Sequence, residues 1–438
     1  MKNINIIHFS DIHCGTIEKE DPPLEQKTPF YPENLADLVQ GPRRFKKISK
    51  SLIEQFRNGL NNIILISGDL TTYGKIENYE LFLKYLRKRI PSEFFEKDSN
   101  FGVFIVPGNH DIDENKIDSG DLHPKFMPII NSLKKHGFYP IPCKNATNKK
   151  IEKESCSVLL VLLNSCIGCR EIQYFPRDLQ PYIQDYFDKE SNRNPKFPLF
   201  NRFDTPFISE ESIEDISRYI SEQDTSLPII IAHHNLLPPH NTEISIFSEM
   251  LNGGKLRDVL KSFNKPILFL HGHIHEDQVE IIQSPFYPNS KIICISAPML
   301  FPNKEDKLGT IFGFNVIQIV FSDEGNILGC EIIFYRLDKN LMPFKTRIRF
   351  IIPPESGFYL LEEDREILKF ITSSSTDKIY LKDINKFLNE GNIDENIYGN
   401  IEKILDKLDW LNLVKYDKDG FKSRSIVIPG RYVQRVIK

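Results

Sequence analysis

Residues 63–69 read Ile-Ile-Leu-Ile-Ser-Gly-Asp, and this stretch sets the pattern for the fold. Four consecutive apolar residues are typical of a strand buried on both faces, as in a parallel sheet covered by helices. The strand stops at a Gly-Asp turn, so a carboxylate lies just beyond its last residue. In α/β architectures ligand sites form at the carboxyl ends of strands. The stretch therefore predicts a buried strand that ends at a candidate functional residue, Asp69.

Four further apolar runs end in polar motifs in the same way. They are residues 4–9, 103–106, 228–232 and 266–270, and they lead into Asp11-x-His13, Gly108-Asn109-His110-Asp111, His233-His234 and Gly272-His273-x-His275. Another apolar run, 157–163, ends at Asn164-Ser165, and helical spacing of apolar residues marks 44–56, 78–89 and 208–220. This alternation predicts an α/β (α+β) domain with its polar functional residues gathered at one edge.

The rest of the first 352 residues completes that domain. Consecutive strand patterns at 290–296, 310–321, 327–337 and 345–352 suggest the antiparallel second half of a sandwich. Two stretches, about 17–42 and 166–206, are rich in proline and polar residues and are predicted to be irregular insertions. We expect them to wall the site. The catalytic domain is thus predicted to span residues 1–352.

The pattern changes after Pro353-Pro354. Helical spacing at 362–372, 381–389 and 397–413 is followed by two short strands around residues 417–420. Three helices closed by a β-hairpin predict a small winged-helix-like domain over residues 358–438. Its last part, 420–438, carries basic residues and no acidic one, which would suit either nucleic acid or a protein partner.

Composition narrows the class of protein. A chain of 438 residues favours two domains, and a net charge of −4 excludes a strongly basic nucleic-acid binder by overall charge, though not a local basic groove. No run approaches the roughly 18 to 20 apolar residues that cross a bilayer, so no membrane association is expected. The N-terminus lacks the features of a signal peptide, and seven scattered cysteines fit reduced thiols. We expect a cytoplasmic protein.

The donor atoms of the strand-end motifs suit transition metals. Carboxylates, an amide oxygen and imidazoles without thiolates favour Mn, Fe, Zn or Co over Ca or Mg. Asp69 is expected to bridge two cations through its two oxygens. Cys166 and Cys169 form a Cys-x-x-Cys pair, but no second Cys/His pair lies at zinc-finger spacing, which favours ordinary thiols in a loop.

The ordered motifs resemble the calcineurin-like metallophosphoesterases over roughly residues 1–350. The resemblance implies a four-layer α/β/β/α sandwich with a dinuclear metal centre at one edge, where manganese is expected to support activity in vitro. It assigns one metal to Asp11, His13, Asp69 and His275, and the other to Asp69, Asn109, His233 and His273. His233 is favoured over His234 because it directly follows its strand and matches the family's position. His110 would contact the substrate phosphate or protonate the leaving oxygen, and Asp111 would orient that imidazole.

The implied function is hydrolysis of a phosphoester, most simply a phosphodiester. Two cations roughly 3.5–4 Å apart would neutralise the anionic ester, lower the pKa of a bound water and position it for in-line attack on phosphorus. His110 assists the leaving group while protonated, so activity is expected to fall as the imidazole loses its proton.

Three readings of the substrate and role remain open. Asp69 is followed by Leu70-Thr71-Thr72 and not by the Arg-Gly of protein serine/threonine phosphatases; the stretch resembles the branch containing cyclic-nucleotide phosphodiesterases. A DNA or RNA nuclease is the main alternative, because residues 8–15 and 108–111 also resemble the recombination-repair nuclease of this superfamily. A non-catalytic scaffold is the third, and it is disfavoured because every ligand position is filled.

Overall fold

A computed structural model gives the structure of the protein. It describes residues 1–14, 42–58, 63–72, 74–96, 102–113, 124–142, 146–169, 171, 177–193, 205–223, 227–238, 250–300, 312–323, 325–337, 342–351, 360–373, 379–390, 401–417 and 426–429. The chain forms two compact units: residues 4–318 with 331–348, and residues 1–3 with 319–330 and 349–438. The predicted domain division between residues 352 and 358 stays a prediction, and most of the predicted 17–42 insertion lies outside the described residues.

Among the described residues, twelve strands lie wholly or mainly in the first unit or cross its boundaries. They are β1 (Lys2–Phe9), β2 (Ile63–Ile66), β3 (Gly102–Ile105), β4 (Thr147–Lys153), β5 (Cys156–Leu162), β6 (Leu227–Ile231), β7 (Pro266–His271), β8 (Val279–Gln283), β9 (Lys291–Ser296), β10 (Phe312–Phe321), β11 (Ile327–Leu337) and β12 (Pro343–Ile351). The α-helices described in this unit are α1 (Pro42–Arg57), α2 (Ile76–Arg89), α3 (Met127–Lys135), α4 (Gln180–Arg193), α5 (Glu210–Glu222) and α6 (Gly253–Ser262).

The strands form two six-stranded sheets. One has the order β12-β11-β10-β1-β2-β3, and the other has the order β4-β5-β6-β7-β9-β8. Strands β1, β2 and β3 pair in parallel, as do β5, β6, β7 and β9, whereas β4 and β8 are antiparallel edges. Parallel pairing brings the carboxyl ends of neighbouring strands to the same edge of each sheet, and the predicted ligands follow those ends.

Helices cover one face of each sheet. Apolar residues of α1, α2 and α3 pack with alternate residues of β1, β2 and β3, and those of α5 and α6 pack with alternate residues of β5, β6 and β7. The residues of opposite parity, such as Ile63, Leu65 and Leu268, are fully buried as well. Strands buried on both faces are what two sheets packed between helix layers require. The predicted mixed α/β sandwich is confirmed.

Two details of the sandwich differ from the sequence-based expectation. The strands after residue 285 were expected to build one antiparallel half. Instead β9 pairs in parallel with β7 inside the second sheet, while β10, β11 and β12 extend the sheet of β1. A strand's own pattern specifies burial but not its neighbours, because pairing partners are chosen by tertiary packing.

The stretch 166–206 contains more regular structure than predicted. It includes α4, whose amphipathic pattern is weak because Pro181 and several polar residues interrupt it. Strand β4 was not predicted from the sequence. Only Ile151 of its seven residues is buried, so the strand lacks an apolar run. The helix predicted over 208–220 is observed as α5, Glu210–Glu222; Ser209 caps it, and its hydroxyl accepts the N–H of Ser212 at 3.1 Å.

The second unit contains its own small sheet and core. Its described elements include α7 (Glu362–Ser373), β13 (Ile379–Tyr380), α8 (Leu381–Glu390), α9 (Ile401–Trp410), β14 (Val414–Asp417) and β15 (Ile426–Pro429), with the sheet order β13-β15-β14. A buried ion pair joins two helices, with Lys407 Nζ 2.6 Å from Asp364 Oδ2. Among the described residues of the whole chain, no helix is both long and apolar enough to span a membrane.

Candidate metal centre

The predicted ligands lie in the loops that follow β1, β2, β3, β6 and β7, and five of them share an unusual backbone. Positive φ angles of 47° to 69° occur at Asp11, His13, Asp69, His273 and His275. They make up five of the nine non-glycine residues with positive φ in the described chain. Left-handed backbone is uncommon for residues with a Cβ, and such strain concentrates at functional sites. The turns therefore break the alternation of the strands and allow neighbouring side chains to converge.

The Asp69 carboxylate lies at the centre of the cluster. Its Oδ1 accepts the backbone N–H of His110 at 2.9 Å. Its Oδ2 is buried and has no hydrogen-bond partner among the described residues, although it lies 3.4 Å from His233 Nε2 and 3.7 Å from His13 Nε2. A buried carboxylate oxygen facing two imidazole nitrogens without hydrogen bonds fits a place for cations. Asp69 thus offers one oxygen to both sides, where the sequence suggested a bridge through two.

On one side of Asp69, three donor atoms converge. Asp11 Oδ1 lies 3.2 Å from His275 Nε2, while Asp11 Oδ2 accepts the backbone N–H of His273 at 3.1 Å. His13 Nε2 is 3.5 Å from His275 Nε2. Cis ligands of an octahedral metal with bonds of roughly 2.1 Å stand about 3 Å apart, so these separations fit a shared cation. His275 is the most solvent-exposed member, with 37% of its side chain accessible, which leaves the site open on this side.

On the other side of Asp69, His233 is oriented by hydrogen bonds to the loops after β2 and β3. Its Nδ1 lies 2.7 Å from the Ser67 carbonyl oxygen and donates to it, which turns Nε2 towards Asn109 Oδ1 at 2.8 Å. The ring of His273 lies 5.1 Å from that of His233. The Nδ1 of His234 lies 2.9 Å from Ser165 Oγ, while its ring lies 4.5 Å from that of His273. The geometry thus places His233, rather than His234, beside Asp69 and Asn109.

The pKa values of the histidines in this cluster differ according to burial and to the carboxylates beside them. Burial disfavours the charged form of His233, but the Asp69 carboxylate outweighs it and raises the pKa of His233 well above its ordinary value. The pKa of His275 is likewise raised by Asp11 against the opposing effect of burial. Burial lowers the pKa of His13 to about 3, so its ring is neutral at physiological pH. Metal binding to such a cluster would release the protons held between carboxylate and imidazole.

His110 and Asp111 both have hydrogen-bond partners in the loop after β2. The His110 ring lies near that of His13, with centroids 4.9 Å apart, and its Nδ1 lies 3.0 Å from the Thr72 carbonyl oxygen. Asp111 was expected to orient this imidazole. Its carboxylate instead accepts backbone N–H groups, those of Leu70, Thr71 and Gly108, at 3.0 to 3.1 Å. Asp111 therefore fixes the loops after β2 and β3, and Thr72 holds the imidazole.

A buried arginine braces the loop that follows His275, and the sequence analysis did not identify it. Arg336 is 1% exposed, and its Nε donates to Asp277 Oδ2 at 2.7 Å. Ser296 supports the same loop by accepting the N–H of Gln278 at 2.6 Å. The arginine and its carboxylate partner are 59 positions apart, so no local motif could have linked them.

Two glycines permit the close approach of the ligand loops. Gly68 has φ of 96°, and a Cβ there would lie 2.6 Å from His233 Nδ1. A Cβ at Gly272 would meet Ser10 Oγ and lie 2.6 Å from Asp11 Oδ2. Both contacts are closer than real Cβ atoms adopt, so any side chain would displace a ligand.

We expect Gly272→Ala to lower kcat/KM for phosphoester hydrolysis by roughly tenfold or more, because loss of the groups that orient metal ligands already costs roughly 10- to 100-fold in affinity or activity. The measurement is steady-state kinetics together with metal content. Gly254→Ala is the matched control, since its Cβ would lie 3.7 Å from Arg257 Nη2, an ordinary van der Waals contact. Equal activity of both variants and the unsubstituted protein would show that the close packing at Gly272 is not needed.

Comparisons with known proteins agree with the class that the fold and the cluster define, a metal-binding two-sheet α/β protein. The family model of the calcineurin-like phosphoesterases matches residues 4–277. No curated protein matches the chain. The chain belongs to the calcineurin-like phosphoesterase family, and it is a metal-dependent phosphoesterase.

Similar solved structures share little sequence with this chain. GAP50, the anchor in the inner membrane complex of Plasmodium, is 10% identical with a TM-score of 0.39, over 80% of this chain and 89% of its own. A protein described as a 5′-nucleotidase from Staphylococcus aureus, in complex with alpha-ketoglutarate, is 13% identical with a TM-score of 0.38. The match covers 83% of this chain and 57% of that protein. Vps29 of Chaetomium thermophilum is 9% identical with a TM-score of 0.29, over 80% and 100%. Likeness at this level carries no statement about substrate.

Proposed function

We propose that the protein is a phosphodiesterase with a dinuclear metal centre. One metal would be held by Asp11, His13, Asp69 and His275, and the other by Asp69, Asn109, His233 and His273. The observation that carries this proposal is the buried Asp69 Oδ2, which within the described part of the chain has no hydrogen-bond partner and lies within 3.7 Å of imidazole nitrogens of both His13 and His233. The donor set is nitrogen and oxygen only, which favours Mn, Fe, Zn or Co.

When bound, two cations would supply neutralisation of the anionic ester and a nucleophile at neutral pH. The chain's own residues do the rest. Asp111 fixes the loops that carry Asp69 and Asn109, and Ser67 fixes the tautomer of His233. Fixed ligand orientation is what an outer layer of hydrogen bonds contributes to a metal site.

His110 is the residue we assign to the leaving group. The Thr72 carbonyl oxygen accepts the hydrogen bond from Nδ1, so Nε2 is the ring nitrogen that would donate to the departing oxygen. The ring is partly exposed and lies next to His13, on the open side of the cluster. A positioned acid of this kind contributes roughly 10²- to 10⁴-fold to rate.

We favour a small-molecule diester, with cyclic nucleotides as the first class to test, over nucleic acid. We also propose that residues 358–438 form a winged-helix-like domain that contacts protein. In helix α9 the exposed Lys403 is accompanied by partly exposed Glu402, Asp406 and Asp409, while Lys407 is buried against Asp364. Such a face repels phosphates, which a nuclease would have to recruit with basic groups.

The test is an assay of the manganese-loaded protein with bis(p-nitrophenyl) phosphate, p-nitrophenyl phosphate, 3′,5′-cyclic nucleotides and single-stranded DNA. We expect diester hydrolysis that a chelator abolishes and added manganese restores, with the monoester and DNA cleaved more slowly. Preferred cleavage of DNA would support the nuclease instead. A folded protein that binds metal yet hydrolyses none of these substrates with Mn, Fe, Zn or Co would contradict the proposal.

A further inference from the structure

A second group of metal-ligating side chains lies behind His233. Cys166, Cys169 and His234 are all buried, and their sulfur and nitrogen atoms lie within 4.8 Å of one another. Cys166 Sγ is 3.9 Å from His234 Nδ1. In a tetrahedral zinc site with usual bond lengths, sulfur and nitrogen ligands stand about 3.6 Å apart. The three donors are thus already near the separation that one cation imposes.

The turn that carries the two cysteines is fixed by hydrogen bonds. Within it, the N–H of Cys169 donates to the Cys166 carbonyl oxygen at 3.1 Å, and Asn164 Oδ1 accepts the N–H of Cys166 at 2.9 Å. The buried Lys125 donates to the carbonyl oxygens of Ile167 and Cys169 at 2.7 and 3.1 Å. A turn ordered in this way presents both sulfurs without further rearrangement, which lowers the cost of binding.

We propose that Cys166, Cys169 and His234 form a structural metal site, separate from the dinuclear centre, for zinc or another divalent cation that prefers thiolate. Thiolate and imidazole donors select such ions. Two buried thiolates are costly unless a cation compensates their charge, and a bound divalent ion does so. In its absence the hydroxyl of Ser165 can donate to His234 Nδ1 at 2.9 Å, and metal binding would take over that lone pair.

The position of this site gives it a role towards the proposed dinuclear centre. His234 directly follows His233, and Cys166 Sγ lies 3.3 Å from the carbonyl oxygen of Pro107, two residues before Asn109. A cation here would fix the ends of β3 and β6, which position both of these ligands. The sequence could not reveal it, because the third donor is 68 positions from Cys166.

Cobalt substitution of the whole chain tests the site without any variant. Thiolate bound to Co(II) gives a charge-transfer absorption in the near ultraviolet, which the nitrogen and oxygen ligands of the dinuclear centre cannot produce. We expect this absorption in the unsubstituted protein and in Asp69→Asn, with one metal equivalent more per chain than the dinuclear centre holds. Its persistence in Asp69→Asn separates this site from the proposed function.

Single substitutions identify the ligands. We expect Cys166→Ala and Cys169→Ala to lose the absorption and one metal equivalent, whereas Cys156→Ala, a buried cysteine outside the cluster, keeps both. The proposal is overturned if the cobalt protein lacks the absorption, or if the absorption survives in Cys166→Ala. It is also overturned if freshly purified protein contains a Cys166–Cys169 disulfide and, after reduction, takes up no additional metal.

Discussion

Asp69→Asn is expected to lower kcat/KM for diester hydrolysis by roughly 10³-fold or more. The amide keeps an oxygen that can accept the N–H of His110, but it removes the negative charge and can place an NH₂ group where Oδ2 faces His13 and His233. Metal-based charge stabilisation supplies several kcal/mol in the transition state, and each 1.36 kcal/mol is about tenfold in rate. The measurement is kcat/KM at saturating manganese, with metal content determined on the same samples.

The control for that experiment is Asp364→Asn. Asp364 is also a buried carboxylate, 1% exposed, but it pairs with Lys407 in the second unit and lies outside the site. We expect the control to change thermal stability while leaving kcat/KM close to that of the unsubstituted protein. Asp69→Asn with more than about a tenth of the original activity would remove Asp69 from its proposed place between the metals.

The strand ends that carry the candidate ligands could be predicted from the sequence because local patterns encode them. The run Ile63–Ile66 is apolar on both faces, so its burial and its end at Asp69 follow from the residues alone. The same holds for the strands that precede His233 and His273. Parallel pairing of the strands brings these ends together. From the sequence, that pairing could be inferred only through the family resemblance.

The contacts that order the site were beyond local reasoning. Asp111 follows His110 in the chain, so adjacency suggested an interaction, yet its carboxylate lies in reach of three backbone N–H groups from two loops. The Arg336–Asp277 pair and the group of Cys166 with His234 are likewise made by residues far apart in sequence. Side chains that act across the fold leave no spacing to recognise.

The backbone of the site depends both on the strand ends that the sequence predicts and on the long-range contacts that it does not. Five predicted ligands have positive φ, a conformation that costs of order 1 kcal/mol or more for each non-glycine residue. Such turns persist only where surrounding contacts hold them. Asp11 N–H bonds to the Gly68 carbonyl oxygen and Ile12 N–H bonds to that of Asp69, so the loops after β1 and β2 support each other. Strain and support together explain how the fold brings the ligands together.

His110→Ala should have an effect that depends on the leaving group. If the imidazole protonates the departing oxygen, its loss is costly for an alkoxide and mild for p-nitrophenolate, which departs without help. We expect kcat to fall roughly 10²- to 10⁴-fold on the best alkyl diester of the assay panel, such as a 3′,5′-cyclic nucleotide, and about tenfold or less on bis(p-nitrophenyl) phosphate. His136→Ala, which removes a histidine that pairs with Glu80 and is not among the candidate ligands, is the control and should alter neither value.

The contrast between the two substrates decides the role of His110. An equal fall on both would mean that the ring binds the phosphate and does not act as an acid, because a binding contact is indifferent to the leaving group. An unchanged rate on both would remove His110 from the reaction. The acid role also requires Nε2 to be the donor, and the contact of Nδ1 with Thr72 supports that arrangement. A larger loss on the alkyl diester is therefore the result that the geometry predicts.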